Sequence, residues 1–346
     1  MAHGAEAIVY FRWLTSHVGT EQYWHGILPH DGTPGRRYEE IRQTGEELQR
    51  LGTLVASDFP SEVAILRSYD ALWAFEAQPT AEGLSYDDQI GRYYRAFWRR
   101  NVAVDLITED GPWESYKVLV APCLFVLKEE VSTRLHTWVE AGGTLVLTFR
   151  SGVKDEYNRV VDQPLPGVLR DLTGVCVIDY TALLPAGTGV PCGGPESLEL
   201  VLDGTIHCVG ADVWMDDLEV NDAEVLGTYR GGPYDRSPAV ALKRLGAGRV
   251  IYVGTSLDDV GQALLIGKLL DETGITTGVP SPDNVEIVRR VHEGTDYWFV
   301  LNYGPVAQEI RLPARGIELL TGRAVTETVI VNGFDALVVR SQPWTH

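Results

Sequence analysis

The stretch "YKVLVAPCLFVLKEEVSTRLHTWVEAGGTLVLTF", Tyr116–Phe149, decides the fold class. Tyr116–Leu127 is an apolar, β-branched run and reads as a strand. Glu129–Gly143 reads as a helix closed by two glycines, and Thr144–Phe149 as a second strand. Neither strand alternates apolar with polar residues. Two such strands joined through a helix imply parallel neighbours buried on both faces.

The pattern continues in both directions. Upstream, "EVAILRS" (Glu62–Ser68) and "VAVDLI" (Val102–Ile107) are strands. Between them "SYDDQIGRYYRAFWRRN" is a helix that Ser85 and the acidic first turn start well. Its broad apolar face, Ile90, Tyr93, Tyr94, Phe97 and Trp98, reads as core or as an oligomer interface. Downstream come a helix in "LPGVLRDLTG", a strand in "VCVIDY", a strand in "GRVIYVGT" and a closing helix in "DVGQALLIGKLLDETG". Residues 181–247 interrupt the series with Gly- and Pro-rich sequence and short alternating strands such as "SLELVL", an antiparallel excursion. The predicted class is α/β, with a flavodoxin-like parallel sheet.

The two ends differ from this middle. "EAIVYFRW" (Glu6–Trp13) reads as a buried strand. The aromatic loop "GTEQYWHGILPHDG" (Gly19–Gly32) follows it. Then comes a helix that spaces Tyr38, Ile41, Leu48 and Leu51 and ends on Gly52 as C-cap. "TLVASDFPS" is predicted to be a linker. From about residue 280, "VEIVRRVH", "DYWFVLNY", "QEIRLP", "IELLTG", "AVTETVIV" and "DALVVR" are short strands at regular spacing. They predict a small all-β domain, a sandwich or Greek-key barrel.

Composition narrows the function classes. The chain has 346 residues, 45% hydrophobic and 22% charged, enough for a real core and for two or three domains. A net charge of −19 disfavours nucleic acid and anionic membrane surfaces as partners. No run of about 18 apolar residues is present, so no membrane span is expected. The N-terminus lacks the pattern of a signal peptide. Cys123, Cys176, Cys192 and Cys208 show no metal-ligand spacing and read as reduced thiols of a cytoplasmic protein. No metal or cofactor is expected.

Several stretches, in order, resemble the family 42 glycoside hydrolases, the β-galactosidases: "AHGAEAIVYFRW" with "GTEQYWHGILPHDG", then "VAILRSYDALWAFE", "YRAFWRRNVAVDLI", "VEAGGTLVLTFRSGVKDEYNRV" and "RLGAGRVIYVGTSLD". The resemblance covers nearly the whole chain. It implies a remnant of the last β/α unit of a (β/α)8 barrel over residues 1–54. Residues 55–278 would be a trimerisation domain resembling class I glutamine amidotransferases, and residues 279–346 a C-terminal β domain. A homotrimer is the implied assembly. The implied reaction is retaining hydrolysis of terminal β-D-galactosides, with a β-galactoside or galactose as ligand.

Retaining chemistry needs two carboxyl groups about 5–5.5 Å apart. In the family both are glutamates on barrel strands that precede the part matched here. No catalytic residue is therefore assigned, and the chain alone is expected to be inactive. The alternative is a non-catalytic assembly module that pairs with a separately encoded barrel. Glu21 matches the family's galactose-contacting glutamate. Trp24 takes the place of the histidine in the pattern E-x-x-H, and His25 follows it, so Trp24 and His25 are both candidate sugar contacts. A lone β/α unit is expected to dock loosely on the α/β domain or to be mobile.

Rival sites fare worse on their residues. An amidotransferase needs an activated cysteine on a sharp turn. "TLVLTF" runs instead into Arg150-Ser151-Gly152, and Cys123 reads as a buried structural thiol. Ser151 lacks the flanking pattern of a nucleophile elbow. Asp155, Glu156 and Asn158 offer oxygen ligands in one loop but read as solvated.

Overall fold

The computed structural model describes residues 1–183 and 196–342. It divides into two compact units, one of residues 1–60 with 278–346 and the other of residues 61–277.

In the first unit, helix α1 spans Arg36–Arg50. Its C-cap is Leu51, and Gly52 opens a 3-10 turn, Gly52–Ala56, that replaces the predicted linker. Leu54 in that turn is fully buried. The predicted strand Glu6–Trp13 does not form: Val9 is 89% exposed and Phe11 66%. A strand needs a ladder partner for its N–H and C=O groups. Among the described residues this stretch meets pairing only at its end, where Leu14 bridges Leu28.

The second unit is built on one large mixed sheet. Strand β1 (Val63–Leu66) is followed by α2 (Tyr69–Ala77) and α3 (Tyr86–Trp98). Helix α2 has no counterpart among the elements predicted from the sequence, although Ser68 caps it by accepting from the Ala71 N–H at 3.1 Å. Then come β2 (Val104–Ile107), β3 (Val118–Ala121), α4 (Glu129–Glu140) and β4 (Thr144–Thr148). Strand β3 is shorter than Tyr116–Leu127 because Cys123 takes φ 45° and turns the chain out of the sheet. Helix α5 (Arg170–Thr173) and β5 (Val175–Ala182) precede the antiparallel excursion. That excursion is β6 (Glu196–Leu202), β7 (Thr205–Val220), β8 (Glu224–Arg230) and β9 (Pro238–Leu245). Strands β10 (Gly248–Val253) and β11 (Thr255–Leu257) and helix α6 (Asp259–Thr273) close the unit.

The sheet runs β11-β7-β6-β8-β9-β10-β4-β3-β1-β2, with β5 also on β7. The β10-β4-β3-β1-β2 portion is parallel throughout. Strand alternation sorts its side chains onto two faces. Val63, Ile65, Val118, Val120, Val146 and Ile251 pack with Phe75, Tyr93, Phe97 and Leu265 of α2, α3 and α6. Ala64, Leu66, Leu119, Leu145 and Tyr252 pack with Leu135 and Trp138 of α4 and Leu172 of α5. Both faces are covered, which is why these strands carry no polar alternation. Tyr93 and Phe97 are core, while Tyr94 and Trp98 stay half-buried.

The remaining strands complete the first unit. They are β12 (Val285–His292), β13 (Thr295–Asn302), β14 (Gln308–Arg311), β15 (Gly316–Glu318), β16 (Ala324–Val325), β17 (Thr328–Val331) and β18 (Ala336–Ser341). "AVTETVIV" therefore splits into two strands in different sheets. β12-β13-β18-β15-β16 is an antiparallel sheet, and β14-β17 pairs separately. One face of the larger sheet, with Ile287, Val300 and Val339, packs on Ile310, Val329 and Val331. The other face, with Val288, Tyr297, Phe299 and Val338, is covered by Ala2, Leu51 and Leu54. Asp58 and Val291 exchange backbone hydrogen bonds at 2.7 and 3.0 Å. The Arg290 guanidinium donates to the carbonyls of Met1 and Ser57. Met1, Ala2, Leu51, Leu54, Ser57 and Asp58 thus meet the C-terminal sheet through apolar cover and buried polar bonds, where docking on the α/β domain or mobility was expected, while Ile8–Trp13 stays largely exposed.

Candidate functional site

The loop that carries Glu21, Trp24 and His25 is pinched at its base. Ile27 and Leu28 donate backbone N–H groups to the Arg12 and Trp13 carbonyls at 2.7 and 2.8 Å, and Thr15 N–H returns to Leu28 at 3.1 Å. The buried Thr15 hydroxyl adds a bond to the Leu28 carbonyl at 2.8 Å and accepts from Gly26 N–H at 2.9 Å. A side chain at Gly26 would bring a Cβ within 2.5 Å of Thr15 N, so the two chain segments approach this closely only because position 26 is glycine. Arg37 of α1 caps the Gly26 carbonyl at 2.9 Å.

Beyond that pinch Thr20–Tyr23 forms a 3-10 turn, and Trp24 N–H closes it onto the Glu21 carbonyl at 3.0 Å. The turn holds Glu21, Trp24 and His25 within five residues, all exposed; Trp24 is 63% exposed. Glu21 Oε2 accepts from Arg12 Nη1 at 2.9 Å. Sequence reasoning misses Arg12, since no local spacing rule links positions 12 and 21. It fixes one carboxylate oxygen and leaves the other free for further donors. The His30 ring meets the Gln22 carbonyl at 3.1 Å and stands edge-on to His17 at 5.6 Å. A carboxylate beside exposed rings matches the faces of a sugar, with hydroxyls to the carboxylate and C–H groups to the ring. A nearby hollow of about 140 Å³, lined by Ile27, Pro29, Gly35, Arg36 and Arg37, does not include Glu21, Trp24 or His25.

In the second unit Cys123 is not a competing nucleophile. Cys123 is fully buried, its Sγ accepts from the Thr148 hydroxyl at 3.6 Å, and burial pushes the thiol up to about 12. A thiol held neutral in this way is inert as a nucleophile. Asp155 is spent on its own loop, accepting from Arg159 Nη2 at 2.7 Å and from the N–H of Tyr157 at 3.0 Å. Among the described residues no group of three metal-ligating side chains occurs. No described helix is long and apolar enough to cross a membrane. Cys123, Cys176 and Cys208 are free thiols, and Cys192 lies outside the described residues.

Comparison with known proteins gives a consistent picture. The family model described as "Beta-galactosidase trimerisation domain" matches residues 61–276. Models described as "Beta-galactosidase" and "Beta-galactosidase C-terminal domain" match residues 1–51 and 284–341. The beta-galactosidase BglY of Alicyclobacillus acidocaldarius is 30% identical over 335 residues, covering 95% of this chain and 48% of its own length. BgaA of Clostridium cellulovorans is 33% identical over 303 residues, covering 87% and 44%. The crystal structure of the beta-galactosidase from Bacillus circulans sp. alkalophilus superposes with a TM-score of 0.92 at 28% identity, covering 99% of this chain and 50% of that one. The chain spans about half the length of the curated relatives it matches.

Proposed function

Because this chain belongs to glycoside hydrolase family 42, the β-galactosidases, we propose that it serves retaining hydrolysis of terminal β-D-galactosides. Its part in that reaction is to supply one wall of the galactose site and the assembly domain. The observation that carries this reading is the exposed turn on which Glu21, Trp24 and His25 cluster above the Thr15–Gly26 pinch. One Glu21 oxygen is held by Arg12, and the other remains for a sugar hydroxyl.

The acid and the nucleophile belong to barrel strands outside these 346 residues. Glu21 does not supply them, since a retaining site needs two carboxyl groups about 5–5.5 Å apart. Residues 1–54 act as the last β/α unit of the barrel, residues 55–278 as an amidotransferase-like trimerisation domain and residues 279–346 as the C-terminal β domain. The order β2-β1-β3-β4-β10 supports a flavodoxin-like reading of the middle domain, since counting only parallel strands it is 2-1-3-4-5. The protein works as a cytoplasmic homotrimer.

A chromogenic β-galactoside assay of the 346-residue protein tests the division of labour. No sustained turnover is expected. Turnover that Glu21→Ala abolishes would overturn it. Light scattering tests the assembly, with a trimer expected and a monomer at micromolar concentration opposing it.

A second reading, a non-catalytic assembly module joined to a separately encoded barrel, draws on the exposed run Ile8–Trp13. Ile8, Val9, Phe11 and Trp13 are each at least 50% exposed, a face that needs cover from further protein. Co-expression with the barrel portion of a relative tests whether the chain can join a separate barrel: restored turnover supports this reading and none opposes it.

A further inference from the structure

Arg150 is out of keeping with its surroundings. It follows β4 with φ 63°, and Gly152 follows with φ 67°, so the chain turns sharply at the C-terminal edge of the parallel strands. The turn is rigid. Gly152 N–H donates to the Leu124 carbonyl at 2.9 Å, and a Cβ at Gly152 would sit 2.4 Å from the Pro166 carbonyl oxygen. The C-terminal edge is where open parallel sheets place their ligands.

Three aromatic rings surround the Arg150 guanidinium. Its carbon lies 4.9 Å from the centroid of Phe125, 5.4 Å from Tyr180 and 4.8 Å from Trp214. Such rings hold a cation in place but leave its N–H edge unsatisfied. The Nε is buried without a hydrogen-bond partner, and no carboxylate among the described residues lies within ion-pair distance of the guanidinium. Asp216 is the carboxylate that the guanidinium feels, but its oxygens are taken. Oδ1 accepts from Trp214 Nε1 at 2.8 Å and Oδ2 from the Tyr252 hydroxyl at 3.0 Å. A second cation shares the Phe125 ring: Lys154 Nζ is 5.0 Å from its centroid, tethered to Asn158 at 2.8 Å and Gln78 at 3.3 Å. Arg150 as a whole residue keeps partial exposure.

A guanidinium normally takes two parallel N–H bonds to a carboxylate or phosphate. A chain with 48 acidic against 29 basic side chains does not lack internal carboxylates, yet none is placed here. We propose that Arg150, supported by Lys154, is a binding site for a small oxyanion, a phosphate or carboxylate group, at the C-terminal edge of the parallel strands. The rings of Phe125, Tyr180 and Trp214 orient the fork, and the oxyanion completes it. The proposal is independent of the galactoside reading, because its residues take no part in the Glu21 site.

Calorimetric titration of the 346-residue protein with inorganic phosphate, and separately with acetate, tests this at constant ionic strength. Binding of at least one is expected, and which one binds identifies the oxyanion class. Arg150→Gln is expected to weaken that binding at least tenfold, and Lys154→Gln by less. Tryptophan fluorescence, through Trp214, should respond to the bound ion in the wild type and not in Arg150→Gln. If Arg150→Gln fails to fold, Arg150→Lys serves instead, since it keeps charge and ring contact but loses the fork. A several-fold loss is then expected. No binding of either ion at about 10 mM, weaker than the affinity a two-pronged contact should give, overturns the proposal. So does equal binding by wild type and variants.

Discussion

Two apolar runs, Glu6–Trp13 ("EAIVYFRW") and Glu62–Ser68 ("EVAILRS"), look alike in sequence and differ completely in structure. Val63–Leu66 is a central strand paired on both sides, by β2 and β3, and each of its four residues is at most 1% exposed. Glu6–Trp13 forms no strand, and its side chains face solvent. Composition and β-propensity are the same kind in both. A strand exists only where a neighbour satisfies its backbone and a layer covers its face, and those are properties of the partners.

Truncating the central run should have the largest effect. Ile65→Ala is expected to destabilise the second unit by about 2–5 kcal/mol, through lost burial and the cavity left behind. The matching Val9→Ala should stay within about 0.5 kcal/mol, since the side chain is 89% exposed. Urea denaturation of the two variants measures both. Equal losses would mean that Val9 is covered in solution.

The second test uses the polar group buried behind β10. Burial raises the Asp216 carboxyl from an ordinary 3.8 to about 7, against the bonds from Trp214 and Tyr252 that favour its ionised form. The folded state therefore holds its proton more tightly than the unfolded chain. Its stabilising contribution is complete below pH 4 and is lost as pH rises toward 7. Asp216→Asn removes this titration. Between pH 4 and pH 8 the stability difference should move in the variant's favour by a few kcal/mol, at about 1.4 kcal/mol for each pH unit that separates the folded and unfolded titrations. Parallel stability curves across that range would contradict the assignment.

Smaller effects sharpen the contrast between local and long-range contacts. Ser85 accepts from Asp88 N–H at 3.3 Å as the N-cap of α3, so Ser85→Ala should cost about 1 kcal/mol by thermal or urea unfolding. Arg12→Ala breaks a half-exposed ion pair with Glu21 and should change stability by no more than about 1 kcal/mol. If the proposed function holds, its consequence should fall on galactose binding, read by titration with the sugar in a complex that contains the barrel.

Legibility followed the range of the forces involved. The parallel strands, α3, α4 and α6 are readable because their periodicity, caps and terminal glycines are local. Ser85, Asp258 and Gly274 each act within a few residues of the helix they start or end. Helix α2 is hard to read although Ser68 caps it, since "YDALWAFEA" is short and exposes Tyr69 and Trp73. Glu21, Trp24 and His25 stand out by family resemblance, while Arg12 does not, because a side-chain pair nine residues apart in a loop has no sequence period.

What the sequence determined by itself is the class of each segment: a parallel α/β middle, an antiparallel excursion and a β-rich end. Those follow from hydrophobic pattern and turn residues, which act over a few positions. Tertiary structure alone decided where cover comes from. It put Ala2, Leu51 and Leu54 on the outer face of the C-terminal sheet, and left Ile8–Trp13 bare. It also brought Phe125, Tyr180 and Trp214 around Arg150 from separate stretches of chain. Burial and charge compensation are sums over neighbours distant in sequence, and no local pattern encodes them.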